Sequence, residues 1–307
     1  MRLIGVGMNT RMDVVTDDIS GFFDLNISSS VQSGTKLQNV LDRAAMLGYT
    51  TVAVNVTVNL DELESVTSKK KKIRKGVQAA DTPLTDGFPD PNEIQFSAPV
   101  CSGTGRKLRV LKRVTLAFSG QGDMSRIGRS TNLKRFDLLA VQPTTQAAFN
   151  LACQTLSIDI ISIDPLSFRG FMLSRKLSGL ASRRGIALEL VYAPALSAGA
   201  GRRQLLLTAL TVTNVTGGKN VLLSSGANHE HQLRGPYDVP SVAQLMGLSA
   251  AAAKASVSSL PKSTVTHAVG RNCTGFCMAQ LVPVPEAGAE QTTAGAAPAG
   301  KRRRTTT

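Results

Sequence analysis

The chain has 307 residues, of which 42% are hydrophobic, 18% charged and 4% aromatic, with a formal net charge of +14 from 35 Lys and Arg against 21 Asp and Glu. That balance excludes fibrous and wholly disordered chains, and the length allows one barrel-sized domain or two smaller ones with room for tails. No run approaches the roughly 18 consecutive apolar residues of a membrane helix, and residues 1–15 lack the apolar core of a secretory signal, so an intracellular protein is expected.

Residues 1–20 carry no clear period and read as an N-terminal extension. The first strand is predicted over Phe22 to Ile27, after which Leu37, Val40, Leu41, Ala44, Ala45 and Leu47 recur at helical spacing and stop at Gly48, a C-cap. A second strand is predicted over Thr51 to Val56. The segment 65–105 then breaks the rhythm with Lys69 to Lys72, Arg74, Lys75 and Pro83, Pro89, Pro91 and Pro99, the composition of a low-complexity, mostly irregular insertion. Its lysine run reads as a solvated loop, a nuclear-import signal or an RNA contact.

A third strand, Leu108 to Phe118, opens a basic stretch. Between residues 106 and 135, nine Lys and Arg face only Asp123, for a local charge of +8. Interleaved with apolar residues of a strand and the following helix, such guanidinium groups suit phosphate contact. A fourth strand is predicted over Phe136 to Val141 with a helix over Thr145 to Leu156, and a fifth over Ile158 to Ile163 with a helix over Phe168 to Arg184. That helix carries the acid-free cluster Arg169, Arg175, Lys176, Arg183 and Arg184. The sixth strand, Ala187 to Tyr192, precedes a helix over Arg202 to Val215, and the seventh covers Asn220 to Ser225. From residue 282 onward Ala, Gly, Pro and Thr dominate, and a disordered tail ending in the basic cluster Lys301 to Arg304 is expected.

Each predicted strand is nearly continuous in apolar residues, as parallel strands covered on both faces are. Seven of them, most followed by a helix, predict an α/β fold: a distorted, TIM-like (β/α) barrel over 21–281. Phosphate-loop motifs fail, because Gly217-Gly218-Lys219-Asn220 lacks the upstream glycine and Gly120-x-Gly122 lacks a third. Cys101, Cys153, Cys273 and Cys277 have neither zinc-clamp nor redox spacing. His229-Glu230-His231, after the seventh strand, reads as a polar loop or, with Asp24, as the ligands of a divergent metal-dependent phosphoesterase. Asp24, Asn26 and Asn55 lie towards the ends of the first two strands and Glu189 lies in the sixth. They read as structural hydrogen-bond partners at the barrel mouth, since Asn cannot titrate.

Several motifs come in a fixed order. They are Phe22-Phe23-Asp24-Leu25-Asn26-Ile27, Leu47-Gly48-Tyr49 leading into Val52-Ala53-Val54-Asn55, Phe136-Asp137-Leu138-Leu139-Ala140-Val141, and Glu189-Leu190-Val191-Tyr192-Ala193-Pro194-Ala195. Then follow Gly218-Lys219-Asn220-Val221 with Ser224-Ser225-Gly226-Ala227, and Leu233-Arg234-Gly235-Pro236-Tyr237-Asp238-Val239. From about residue 21 to about residue 278, the series resembles the thirty-kilodalton protein subunit of ribonuclease P and ribonuclease MRP.

The resemblance implies a barrel related to the polymerase and histidinol phosphatase group of phosphoesterases that has lost their metal ligands, with Asp24 and Asn26 where those enzymes carry two histidines. It implies a non-catalytic, RNA-binding subunit without a cofactor of its own. An RNA subunit, with Mg2+, then performs the 5′ cleavage of precursor tRNA, and the related particle processes ribosomal RNA. Implied protein partners are a small ferredoxin-like subunit and other subunits of the particle, and the implied location is the nucleus and nucleolus. Basic positions matching the family pattern are Arg113, Arg129, Arg184, Arg203, Lys219 and Arg234, the expected RNA contacts. Lys219 and Arg234 alternatively brace the barrel mouth through carboxylates such as Asp238. Tyr237 and Asp238 join Asp24, Asn26, Asn55 and Glu189 as expected structural residues of the mouth.

Overall fold

The computed structural model describes residues 20–29, 34–61, 88–101, 105–120, 122, 124–165, 172–196 and 200–272. The extension before Ser20, the lysine run, Cys273, Cys277 and the tail from 282 lie outside the described residues.

Seven strands form one sheet in sequence order with every neighbouring pair parallel. They are β1 (Phe22–Ser28), β2 (Tyr49–Asn59), β3 (Arg109–Phe118), β4 (Leu138–Pro143), β5 (Ile160–Ile163), β6 (Ala187–Val191) and β7 (Val221–Ser224). The helices are α1 (Gly34–Leu47), α2 (Met124–Arg129), α3 (Gln146–Gln154), α4 (Arg175–Arg183), α5 (Ala193–Leu196) and α6 (Ala200–Thr216), followed by α7 (Val239–Leu245), α8 (Ala250–Ala255) and α9 (Ser259–Asn272). Hydroxyl caps start three of them: Thr145, Ser174 and Ser249 accept from the backbone N–H of Ala148, Leu177 and Ala252. The described part of the insertion is irregular apart from one 3-10 turn at Pro91–Glu93.

This is the TIM-like barrel expected from the strand pattern, with a seam between β1 and β7. Its upper half is closed by backbone bonds, Gly226 N–H to Asn26 O at 2.7 Å and Ser28 N–H to Ala227 O at 3.0 Å. In the lower half the turn between α8 and α9 stands in for an eighth strand: Phe23 N–H donates to Val257 O at 3.0 Å and Leu223 N–H to Ser256 O at 3.5 Å.

One apolar cluster takes a residue from every strand, among them Phe23, Ala53, Leu111, Ala140, Ile160, Ala187 and Leu222, and is therefore the barrel interior. Val265 and Ala268 of α9 complete it. That helix packs against β1, β4 and β7 at once, which a helix does only by crossing the end of a barrel. The buried Asp159 anchors it. Asp159 accepts from Leu139 N–H at 2.8 Å, pairs with His267 Nδ1 at 3.0 Å and is bracketed by Arg271 Nε at 3.1 Å. Because Asp159 immediately precedes β5, α9 stoppers the N-terminal end and leaves the C-terminal end open. The α7–α9 region carried no sequence expectation. Its Ala, Ser and Thr content gives little apolar periodicity, so its helices declare themselves only by what they cover.

Candidate functional site

The polar groups of the barrel interior form a closed ring. In β3, Arg113 alternates with Leu111 and Thr115, so all three face inward, and the register sets Arg113 beside Asn55 of β2. Its Nη1 and Nη2 donate to the two carboxylate oxygens of Glu189 at 2.6 and 2.5 Å, and Nη1 also donates to Leu25 O at 2.7 Å. From Arg113 the bonds run one way round: Nε to Thr115 Oγ1, Thr115 hydroxyl to Asn55 Oδ1, Asn55 amide to Asn26 Oδ1, and Asn26 amide to Glu189 Oε2. Asn26 can face inward directly after the inward Leu25 because β1 slips register between Asp24 and Ile27. The Ser224 hydroxyl adds a bond to Glu189 at 2.7 Å. Burial pushes the Glu189 carboxyl up, but the Arg113 charge and the bonds from Arg113, Ser224 and Ser162 outweigh it and hold the group below its usual range.

Arg113 and Glu189 are both fully buried. The expectation that Arg113 touches RNA is therefore corrected: a guanidinium spent on a buried carboxylate cannot reach a phosphate. Arg184 is corrected as well. Its Nη groups donate to the carbonyls of Cys153 and Leu156 at 2.8 and 2.5 Å, bracing the C-terminal end of α3, where a cation complements the helix dipole. Of Arg129 the structure describes only the backbone, the last residue of α2. Arg203, Lys219 and Arg234 are exposed, with no side-chain hydrogen bond or ion pair among the described residues, so neither Lys219 nor Arg234 braces Asp238. They do not share a face. Arg203 sits in the first turn of α6, at the C-terminal end of the barrel, while Lys219 precedes β7 at the N-terminal end.

Asp24 faces the β1/β7 seam. Its Oδ1 accepts from Asn26 N–H and Ser225 N–H at 3.2 and 3.1 Å, while Oδ2 is buried without a partner among the described residues. Burial raises its pKa to about 6 against the opposing bonds from Ser225 and Asn26. Nearby, Tyr49 donates its hydroxyl to Arg234 O at 2.9 Å, and the Tyr192 hydroxyl accepts from Arg234 N–H at 3.1 Å. Two buried phenols thus clamp the backbone of the Arg-Gly-Pro-Tyr-Asp-Val segment, which gives that motif a structural reason. Tyr237 and Asp238 are corrected from mouth to flank: Tyr237 is 79% exposed and meets Phe22, at the N-terminal end of β1, edge to face at 4.9 Å, and Asp238 is exposed just before α7.

Above the ring lies an open cavity of about 210 Å³ at the C-terminal end, with Thr57, Gln142, Asp164, Pro165, Pro194 and Asn228 among its lining. Asp24 does not line it. His229 and His231 stack on each other at 5.4 Å on an exposed turn, and among the described residues no three His, Cys, Asp or Glu converge as a metal site. The set required by the phosphoesterase reading is therefore not assembled. Sequence reasoning missed Arg113 as the counterion of Glu189. The available signal was an arginine at an inward position of an otherwise apolar strand, two residues before a threonine and in register with an asparagine.

The profile of the family described as RNase P subunit p30 matches residues 21–272. Ribonuclease P protein subunit p30 of Mus musculus is 30% identical over 263 residues, covering 85% of this chain and 90% of that protein. Ribonuclease P/MRP protein subunit RPP1 of Saccharomyces cerevisiae is 24% identical over 226 residues, 71% of this chain and 67% of the yeast protein. A chain in the cryo-EM structure of archaeal Ribonuclease P with mature tRNA superposes with a TM-score of 0.52 at 14% identity, over 90% of this chain and 100% of the other, a likeness of fold.

Proposed function

We propose, on the premise that this chain belongs to the RNase P subunit p30 family, that it is a non-catalytic, RNA-binding subunit of ribonuclease P and ribonuclease MRP. In the first particle it supports 5′ maturation of precursor tRNA and in the second the processing of ribosomal RNA. Catalysis rests with the RNA subunit and its Mg2+; the protein holds that RNA, beside a small ferredoxin-like subunit, in the nucleus and nucleolus. The observation that carries this reading is the closed ring. The acid at the centre of the barrel has its cation in Arg113, and the exposed Arg203, Lys219 and Arg234 are groups suited to phosphate, which supports the reading.

The test is to tag the full chain, purify it gently from nuclear extract, and assay the eluate on precursor tRNA before and after nuclease digestion. The expected result is 5′ cleavage that vanishes with the co-purifying RNA. Cleavage that survives complete digestion of the RNA would overturn the non-catalytic reading.

A further inference from the structure

We propose that the cavity at the C-terminal end of the barrel receives a single nucleobase. The inference deepens the RNA-binding reading and rests on it for the source of the base. With a volume of about 210 Å³, the cavity lies below the roughly 300 Å³ at which drug-sized sites begin, so its guest is small. The guest is also uncharged. The guanidinium beneath the floor is committed to Glu189, and among the described residues the lining contributes an acid, Asp164, and no Lys or Arg, a poor setting for phosphate.

The walls are two-sided in chemistry. Pro165 and Pro194, which follow the adjacent strands β5 and β6, supply apolar surface; Gln142 of β4 and Asn228 after β7 flank them and Thr57 of β2 lies beyond, supplying amide and hydroxyl groups around the rest of the rim. Gln142 is half-buried and its side-chain amide has no hydrogen-bond partner among the described residues. A donor and an acceptor held on a strand end beside a prolyl face match a heterocyclic base, whose faces stack and whose edge both donates and accepts. RNA is the natural carrier. The Pro194 carbonyl lies 3.1 Å from where a Cβ on Gly201 would stand, so the first turn of α6, which carries the exposed Arg203, abuts this wall.

The test uses the purified full chain and ten-residue oligoribonucleotides in which one base is 2-aminopurine or pyrrolocytosine, fluorophores that brighten when unstacked. Anisotropy of the same samples reports total binding. In parallel, the four free ribonucleosides, D-ribose and inositol are offered by equilibrium dialysis. A severalfold rise in emission on binding, lost in Gln142→Leu and in the cavity-filling Thr57→Phe, supports the proposal with RNA as the source. Binding of a free nucleoside that weakens about tenfold or more in the same variants supports it with a free nucleoside as the source. Oligonucleotide binding without a rise and without nucleoside binding, or preference for ribose or inositol over every base, overturns the cavity assignment and leaves the RNA-binding reading standing. Absence of all binding at every salt concentration overturns both.

Discussion

Arg113 and Glu189 show what a buried charge requires. Each alone in the barrel would carry a desolvation cost of several kcal/mol; together, with Thr115 and the Leu25 carbonyl accepting from Arg113 and with Asn26 and Ser224 donating to Glu189, they are satisfied. Asp24 has no such counterion among the described residues, and its behaviour is correspondingly different. Its folded pKa of about 6 lies above the ordinary 3.8, so the native state binds the proton more tightly than the unfolded chain. Stability from this group is fully present below about pH 4 and is lost as pH rises through about 6. The shift corresponds to about 3 kcal/mol between those limits. Asp24→Asn should abolish the fall in stability between pH 4 and 6 and leave the variant more stable than the parent at pH 8, read by denaturant titration across pH. A parent curve flat over that window counts against the assignment.

At the scale of elements, the barrel is completed by pieces that are not strands. The α8/α9 turn fills the lower seam and α9 stoppers the end, held by Asp159 through His267, Arg271 and Leu139 N–H. Asp159→Ala takes the carboxylate from the largely covered Arg271 and leaves the Leu139 N–H without its acceptor, a loss of about 3 kcal/mol for the broken charge pair. Hydrogen exchange should quicken first in α9 and at Leu139, while the β2/β3 ladder stays protected; uniform exchange across the chain would mean that α9 is integral to the barrel instead of a separable stopper. The upper seam depends on Gly226. It has φ +63°, and a Cβ there would meet Val191 Cγ1 at 2.1 Å, so the Ser-Ser-Gly-Ala motif marks a place where a left-handed backbone turns against the Val191 side chain and leaves no room for a Cβ.

For the whole molecule, the charge that composition counts as one excess is divided by the fold into distinct uses. Arg113 and Arg184 hold the structure together, and Arg203 and Lys219 stand exposed at opposite ends of the barrel. Each phosphate contact contributes roughly one unit to the dependence of log affinity on log salt. Arg203→Ala and Lys219→Ala should therefore each lower that slope by about one for the RNA subunit, measured by filter binding between 50 and 300 mM salt. Arg113→Met should leave the slope of the folded fraction intact and lower its unfolding midpoint instead. A slope that falls with Arg113→Met and not with either surface variant would reverse the assignment.

The sequence by itself determined the seven strands, their parallel order and the family, because strands covered on both faces must be written as continuous apolar runs and because the motifs lie in sequence order along them. It also brought Asn26, Asn55 and Glu189 under suspicion as polar residues in apolar strands. What it could not decide was the destination of each arginine. Arg113 and Lys112 are neighbours in one strand with the same local charge, yet one is fully buried and the other is half-exposed with its amine on Pro91 O. Alternation along the strand separates them, and which face is inward depends on barrel closure, a property of all seven strands together. The same holds for α9 and for Tyr49 and Tyr192, whose partners lie 108 to 185 residues away or, for Tyr192, 42. Contacts at that separation leave no periodic trace in the chain, and only the tertiary structure brings them together.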